Sequence, residues 1–270
     1  MSHPPEWLAT AVDIVLRAGE IQMRHLDGDL QIGKKGAIDL VTQVDVEVER
    51  MGRGVIAARF PDHGVLAEEL EHESDPATGR YRWVFDPIDG TVNYAHGLPL
   101  FCSCLALEVD QRPQVAAVFD PTRRELFTAE RGVGAWLNGA PLRVSRAPSV
   151  LDAMLCTGFP YDVHETVDEV VGLFGDFVGR ARAVRRLGSA ALDLCYVAAG
   201  RLDGFWEQRL QPWDLSAASL VVEEAGGRLS RFDGAPFGTH GGQVVASNGQ
   251  IHDEMLSVIA SNGRAPNRTI

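Results

Sequence analysis

Apolar positions recur at helical spacing at the start of the chain. From Pro5 to about Leu26, Leu8, Ala11, Val12, Val15 and Ala18 form one stripe and acidic residues the other face, which predicts an amphipathic first helix. Leu30–Lys35 reads as a short strand. Thr42 with Asp45 three residues on is a helix start, continued by Val44, Val48, Met51 and Val55 and ended near Phe60-Pro61. Val65-Leu66-Ala67 is a brief strand that delivers Glu68 and Glu69, and 71–80 is a polar loop. Runs at 101–109, 114–119, 125–129 and 135–137 read as an antiparallel meander, with Asn138-Gly139 as a hairpin signal. The first half is therefore α+β. Beyond Ser145-Arg146-Ala147-Pro148 the pattern changes to alternating strands and helices: strands at 153–156, 183–185, 204–207 and 244–247, helices at 164–178, 189–199, 214–225 and 252–259. This predicts an α+β unit over 1–147, an α/β unit with a mixed sheet over 148–270, and a frayed tail from Ser261.

Chemistry concentrates in Trp83-Val84-Phe85-Asp86-Pro87-Ile88-Asp89-Gly90-Thr91. Val84 and Phe85 read as the end of a buried strand, Pro87 holds Asp86 extended, and a turn through Ile88 brings Asp89 close to Asp86. Two such carboxylates repel unless a hard cation such as Mg²⁺ binds them, together with a backbone carbonyl such as that of Ile88. Gly90 allows close backbone approach, and the amides of Gly90 and Thr91 at a helical turn would face an anion. Asp214 at the start of a later helix reads first as an N-cap.

The 270 residues are 45% hydrophobic and 23% charged, with 25 basic against 37 acidic side chains and a formal net charge of −12. That acidity disfavours direct nucleic-acid binding and asks for cations wherever a phosphate is handled. Cys102, Cys104, Cys156 and Cys195 sit in apolar surroundings without zinc-ligand spacing, as free thiols of a reducing compartment. The N-terminus lacks a secretory signal and no run is long enough to span a bilayer, so a cytoplasmic protein is expected. No Cys-x5-Arg loop, Gly-x-Ser-x-Gly elbow or P-loop is present. Arg185 and Arg186 beside Gly188 read first as a solvated strand end, with contact to substrate or to a partner subunit as the alternative, and Asp193 as either pocket support or a solvated helix position.

Asp86-Pro87-Ile88-Asp89-Gly90-Thr91 resembles the first signature of the inositol monophosphatase family of metal-dependent phosphatases. Trp213-Asp214 followed by Glu224-Ala225-Gly226-Gly227 resembles its second. Lys34, Asp39 to Asp45, Glu68-Glu69, Gly188-Ser189-Ala190-Ala191 and Glu207 extend the resemblance over about residues 5–260. It implies an αβαβα layered sandwich, an active site between the two halves, and a homodimer. By the same resemblance Glu68, Asp86 and the Ile88 carbonyl would bind one Mg²⁺, and Asp86, Asp89 and Asp214 a second, with Glu68 also on a weaker third. Asp45, Thr91 and Glu68 would activate water. Asp89, Gly90, Thr91 and Asp214 would contact the phosphate ester, and Gly188, Ser189, Ala190 and Glu207 the polyol. The activity implied is hydrolysis of inositol 1-phosphate by metal-activated water. Fructose 1,6-bisphosphate, histidinol phosphate and 3′-phosphoadenosine nucleotides are the rival substrates, and a regulatory protein contacting the transcription machinery, as some bacterial relatives do, is the rival class.

Overall fold

The computed structural model describes residues 4–26, 28, 32–34, 40–70 and 79–262. Its elements, in chain order, are α1 (Pro5–His25), β1 (Ile32–Lys34), β2 (Leu40–Thr42), α2 (Gln43–Arg59), β3 (Gly64–Ala67), β4 (Tyr81–Asp89) and α3 (Thr91–Ala95). There follow β5 (Cys102–Val109), β6 (Arg112–Asp120), β7 (Glu125–Glu130), β8 (Gly134–Leu137), β9 (Ala140–Pro141) and β10 (Met154–Thr157). The chain continues through α4 (Val167–Val178), β11 (Ala183–Arg185), α5 (Ala190–Ala198), β12 (Gly204–Gln208), α6 (Pro212–Glu224), β13 (Arg228–Ser230), β14 (Gln243–Ser247) and α7 (His252–Ser261).

Strands β3 to β9 form one sheet in sequence order, and a second sheet has the order β11-β10-β12-β14-β13. Helices α1 and α2 cover one face of the first sheet, α5 and α6 lie between the sheets, and α4 and α7 cover the far face of the second, giving the αβαβα layering. The middle layer explains the sequence of α5. All nine of its residues are buried, so no polar face is required of it. The second sheet is mixed, with β10 parallel to β11 and β12, and β14 antiparallel to β12 and β13.

Several expectations need correcting. The antiparallel meander expected over 101–137 is present as β5 to β8, but the sheet also extends through β4, antiparallel to β5, to an edge strand β3 that pairs with β4 in parallel. β4 does not end at Phe85; it runs on to Asp89, with its register to β5 broken between Asp86 and Asp89. Pro87 has no N–H to give a ladder, so the break falls where the sequence can tolerate it. The helix expected at 164–178 is a short 3-10 turn, Val163–Glu165, followed by α4. β13 was not expected, since three residues after Gly226-Gly227 carry too short a pattern. Most of the 71–80 loop, the Lys34 side chain, Asp39 and residues 263–270 lie outside the described residues.

Candidate active site

The break in β4 builds the centre of the site. With the ladder interrupted, the Pro87 carbonyl is taken instead by Gln22 Nε2 at 2.9 Å and Ser103 Oγ at 2.6 Å. Gln22 Nε2 also donates to Ser103 Oγ, and the Gln22 backbone carbonyl accepts from the Tyr94 hydroxyl. This buried brace holds the Asp86-to-Asp89 bulge from behind. Gly90 follows at φ +94°, where an added Cβ would meet the Leu100 carbonyl at 2.9 Å, so both conformation and space select glycine.

Asp86, Asp89 and Asp214 each bring a carboxylate oxygen within 4.8 Å of the others. Asp86 Oδ1 is buried and has no hydrogen-bond partner. Burial, followed by the charges of Glu68, Asp89 and Asp214, pushes the Asp86 carboxyl well above the usual range. Asp214 is raised in the same way, by burial and then by Asp89. Asp89 is raised less far because burial is opposed by donors: Ser189 Oγ at 2.5 Å, Ala191 N at 2.7 Å and Ala190 N at 3.2 Å. The start of α5, in the middle layer, thus receives Asp89 from the end of β4 in the first sheet. Three crowded carboxylates with an orphaned buried oxygen fit a hard divalent cation.

Asp214 is not the N-cap of α6. Pro212 opens the helix, and Asp214 lies in its first turn with Oδ2 accepting from Gln211 N at 2.7 Å. Glu68 stands outside the group of three but lines the same cavity of about 310 Å³. Asp45 is fully buried; Oδ2 accepts from Thr42 N and Oγ1 at 2.8 and 2.6 Å, and Oδ1 faces Thr91 Oγ1 at 3.3 Å. The Thr91 hydroxyl also lies 2.9 Å from the Ile88 carbonyl. Asn93 donates to Leu100 and Leu187 carbonyls, tying α3 to the segment that carries Gly188.

Glu207 lines the same cavity and packs so closely on Gly158 that an added Cβ there would overlap both carboxylate oxygens. Burial, and secondarily Asp193, pushes its carboxyl up to about 8 against the pull of Arg186. Arg186 is not a simple solvated strand end: it lines the cavity and stacks its guanidinium 5.7 Å from the Phe159 ring centre. Asp193 is only 1% exposed, which removes the solvated-helix reading. The four cysteines are free and buried, and burial raises all four thiols, so none is a ready thiolate nucleophile. Gly158, Gln22 and Ser103 escaped the sequence reading. Gly158 follows a predicted strand, and that position was the only available hint.

A five-layer αβαβα architecture with a carboxylate cluster at a break in its first sheet defines the class: a layered α/β protein with a site whose side chains could hold a metal ion. The chain matches the model of the inositol monophosphatase family over residues 3–264 and belongs to that family. It is 41% identical over 257 residues to the inositol-1-monophosphatase of Synechocystis, covering 94% of this chain and 89% of that protein. It is 40% identical over 259 residues to Nus factor SuhB of Pseudomonas aeruginosa, covering 92% and 95% respectively. Among solved structures, the Thermotoga maritima inositol monophosphatase superposes with a TM-score of 0.87 at 35% identity, covering 95% of this chain and 98% of that one. The family assignment supports a phosphatase.

Proposed function

We propose that the protein is a Mg²⁺-dependent phosphomonoesterase acting on inositol 1-phosphate or a closely similar polyol phosphate. The observation that carries this reading is the convergence of Asp86, Asp89 and Asp214 within 4.8 Å, with Asp89 and Asp214 on the wall of a cavity that Glu207 also lines. Asp86, Asp89, Asp214, Glu68 and the Ile88 carbonyl would hold Mg²⁺, in two to three sites. When bound, the ions lower the pKa of water and screen the charge of the phosphate. The chain's own residues supply the rest. The Thr91 hydroxyl carries one proton, so when that proton turns to Asp45 Oδ1, the Oγ1 lone pairs are free to accept from a water in the cavity. Asp45 keeps that orientation because Thr42 already occupies its other oxygen. Gly90 and Thr91 would receive the phosphate. Gly188, Ser189 and Ala190 would border the alcohol, with the Glu207 carboxyl hydrogen-bonding to its hydroxyls.

The test is phosphate release from inositol 1-phosphate, fructose 1,6-bisphosphate, histidinol phosphate and 3′-phosphoadenosine 5′-phosphate, with and without EDTA. The expected result is EDTA-sensitive turnover of the inositol ester that is lost in Asp89→Asn. Turnover of another ester alone discards the substrate, and no metal-dependent release discards the enzyme.

The similarity to Nus factor SuhB favours a second reading, contact with the transcription machinery, either instead of catalysis or beside it. A pull-down with wild type and Asp89→Asn separates the two: capture by both forms makes binding independent of the metal site. No described helix is long and apolar enough to cross a membrane. A cytoplasmic homodimer completes the proposal, and sedimentation of the purified chain tests its oligomeric part.

A further inference from the structure

Glu68 is the first residue beyond β3, the edge strand of its sheet, where no neighbouring strand fixes the backbone. The fixing comes from α2. The Glu49 side chain is fully buried, and its carboxylate accepts from Glu69 N at 2.7 Å and from Leu70 N at 3.2 Å. Arg53, one turn later, donates from Nε to Glu49 at 2.6 Å and from its terminal nitrogens to the Val65 and Leu70 carbonyls. The segment 65–70 is therefore gripped on its amide side by a carboxylate and on its carbonyl side by a guanidinium. The peptide next to Glu68 cannot rotate without breaking a charge-assisted hydrogen bond.

We propose that Glu49, braced by Arg53, is the positioning residue for Glu68, holding that carboxylate beside Asp86 and Asp214 for metal binding; the inference rests on the reading of Glu68 as a metal ligand. The need for such a grip is electrostatic. Asp86 is buried and both side chains are carboxylates, so without a restraint like-charge repulsion would drive Glu68 away from it. Glu49 also lies one helical turn from Asp45 on α2, so one helix sets both the residue that faces Thr91 and the approach of Glu68. A glutamine at 49 keeps the volume but must turn an N–H₂ toward either an amide N–H or the Arg53 Nε–H, so one of the two grips is lost.

The experiment is calorimetric binding of Mn²⁺ to the metal-free full-length protein, in wild type, Glu49→Gln, Glu68→Gln and the double variant, with melting curves to establish folding. Glu49→Gln is expected to weaken Mn²⁺ binding about tenfold, the usual cost of losing an outer support of a metal ligand. The double variant is expected to match Glu68→Gln alone, because Glu49 acts through Glu68. Unchanged affinity in folded Glu49→Gln, or losses that add fully in the double variant, would overturn the proposal. Should Glu49→Gln fail to fold, Arg53→Lys carries the same test. It keeps the charge beside Glu49 but withdraws the carbonyl grips, so a folded Arg53→Lys with wild-type affinity also overturns it. Absence of Mn²⁺ binding in wild type would instead remove the metal-site reading on which the inference stands.

Discussion

Gly158→Ala offers a sharp test of how the alcohol end of the cavity works. The added methyl would fall inside 3.0 Å of both Glu207 carboxylate oxygens, a separation that real Cβ atoms do not adopt. What must yield is the far end of a flexible side chain rather than backbone, so the fold should survive and Glu207 should retreat by roughly 1 Å. A misplacement of about 1 Å in a positioning group costs on the order of 10²-fold in rate, or ~2.7 kcal/mol of transition-state stabilisation. The loss should be selective. With inositol 1-phosphate, kcat/KM should fall by about two orders of magnitude, while phenyl phosphate, which has no ring hydroxyls for Glu207 to accept from, should change less than roughly threefold. Glu207→Gln should follow the same ranking, with a smaller loss, since an amide oxygen still accepts. Equal losses on both esters would show that Gly158 supports the cleft generally. Unchanged turnover of the inositol ester would refute a polyol contact by Glu207.

Gln22→Leu should withdraw one of the two donors to the Pro87 carbonyl, lowering stability by about 1–2 kcal/mol and weakening metal binding; a urea midpoint and an affinity equal to wild type would dismiss the brace. Adding Mg²⁺ at a hundred times its dissociation constant should stabilise the protein by about 2.7 kcal/mol, read as a melting shift that Asp89→Asn abolishes. His252 is held between Ser230 and Ser247, and burial, then Arg228, lowers its pKa to about 4. A depressed pKa means that its stability contribution is present above the unfolded value near 6.5 and is lost as pH falls toward 4, up to about 3 kcal/mol. Chemical denaturation across that window should show the fall in wild type and a flatter profile in His252→Gln.

What could be read from the sequence and what could not divide along one physical line. Period and punctuation are local, so α1, α2 and most strands were legible, and so was the Thr42–Asp45 capping box, closed at 2.8 Å. Asp86 and Asp89 were legible for the same reason, being three residues apart around a proline. The start of α6 was misjudged by two residues although Pro212 marks a first helical turn as clearly as Asp214 does. The hidden residues act across the chain: Gln22 reaches Pro87 from 65 residues away, and Glu49 grips Glu69 from 20. Each looks ordinary in its own window, as a polar residue in a helix. Their partners exist only because β4 breaks its ladder and β3 stops at a sheet edge, leaving backbone groups that distant side chains must satisfy. The site thus forms where the regular structure runs out of its own hydrogen bonds. The carboxylates that would bind a metal and the residues that brace them follow from the same interruption.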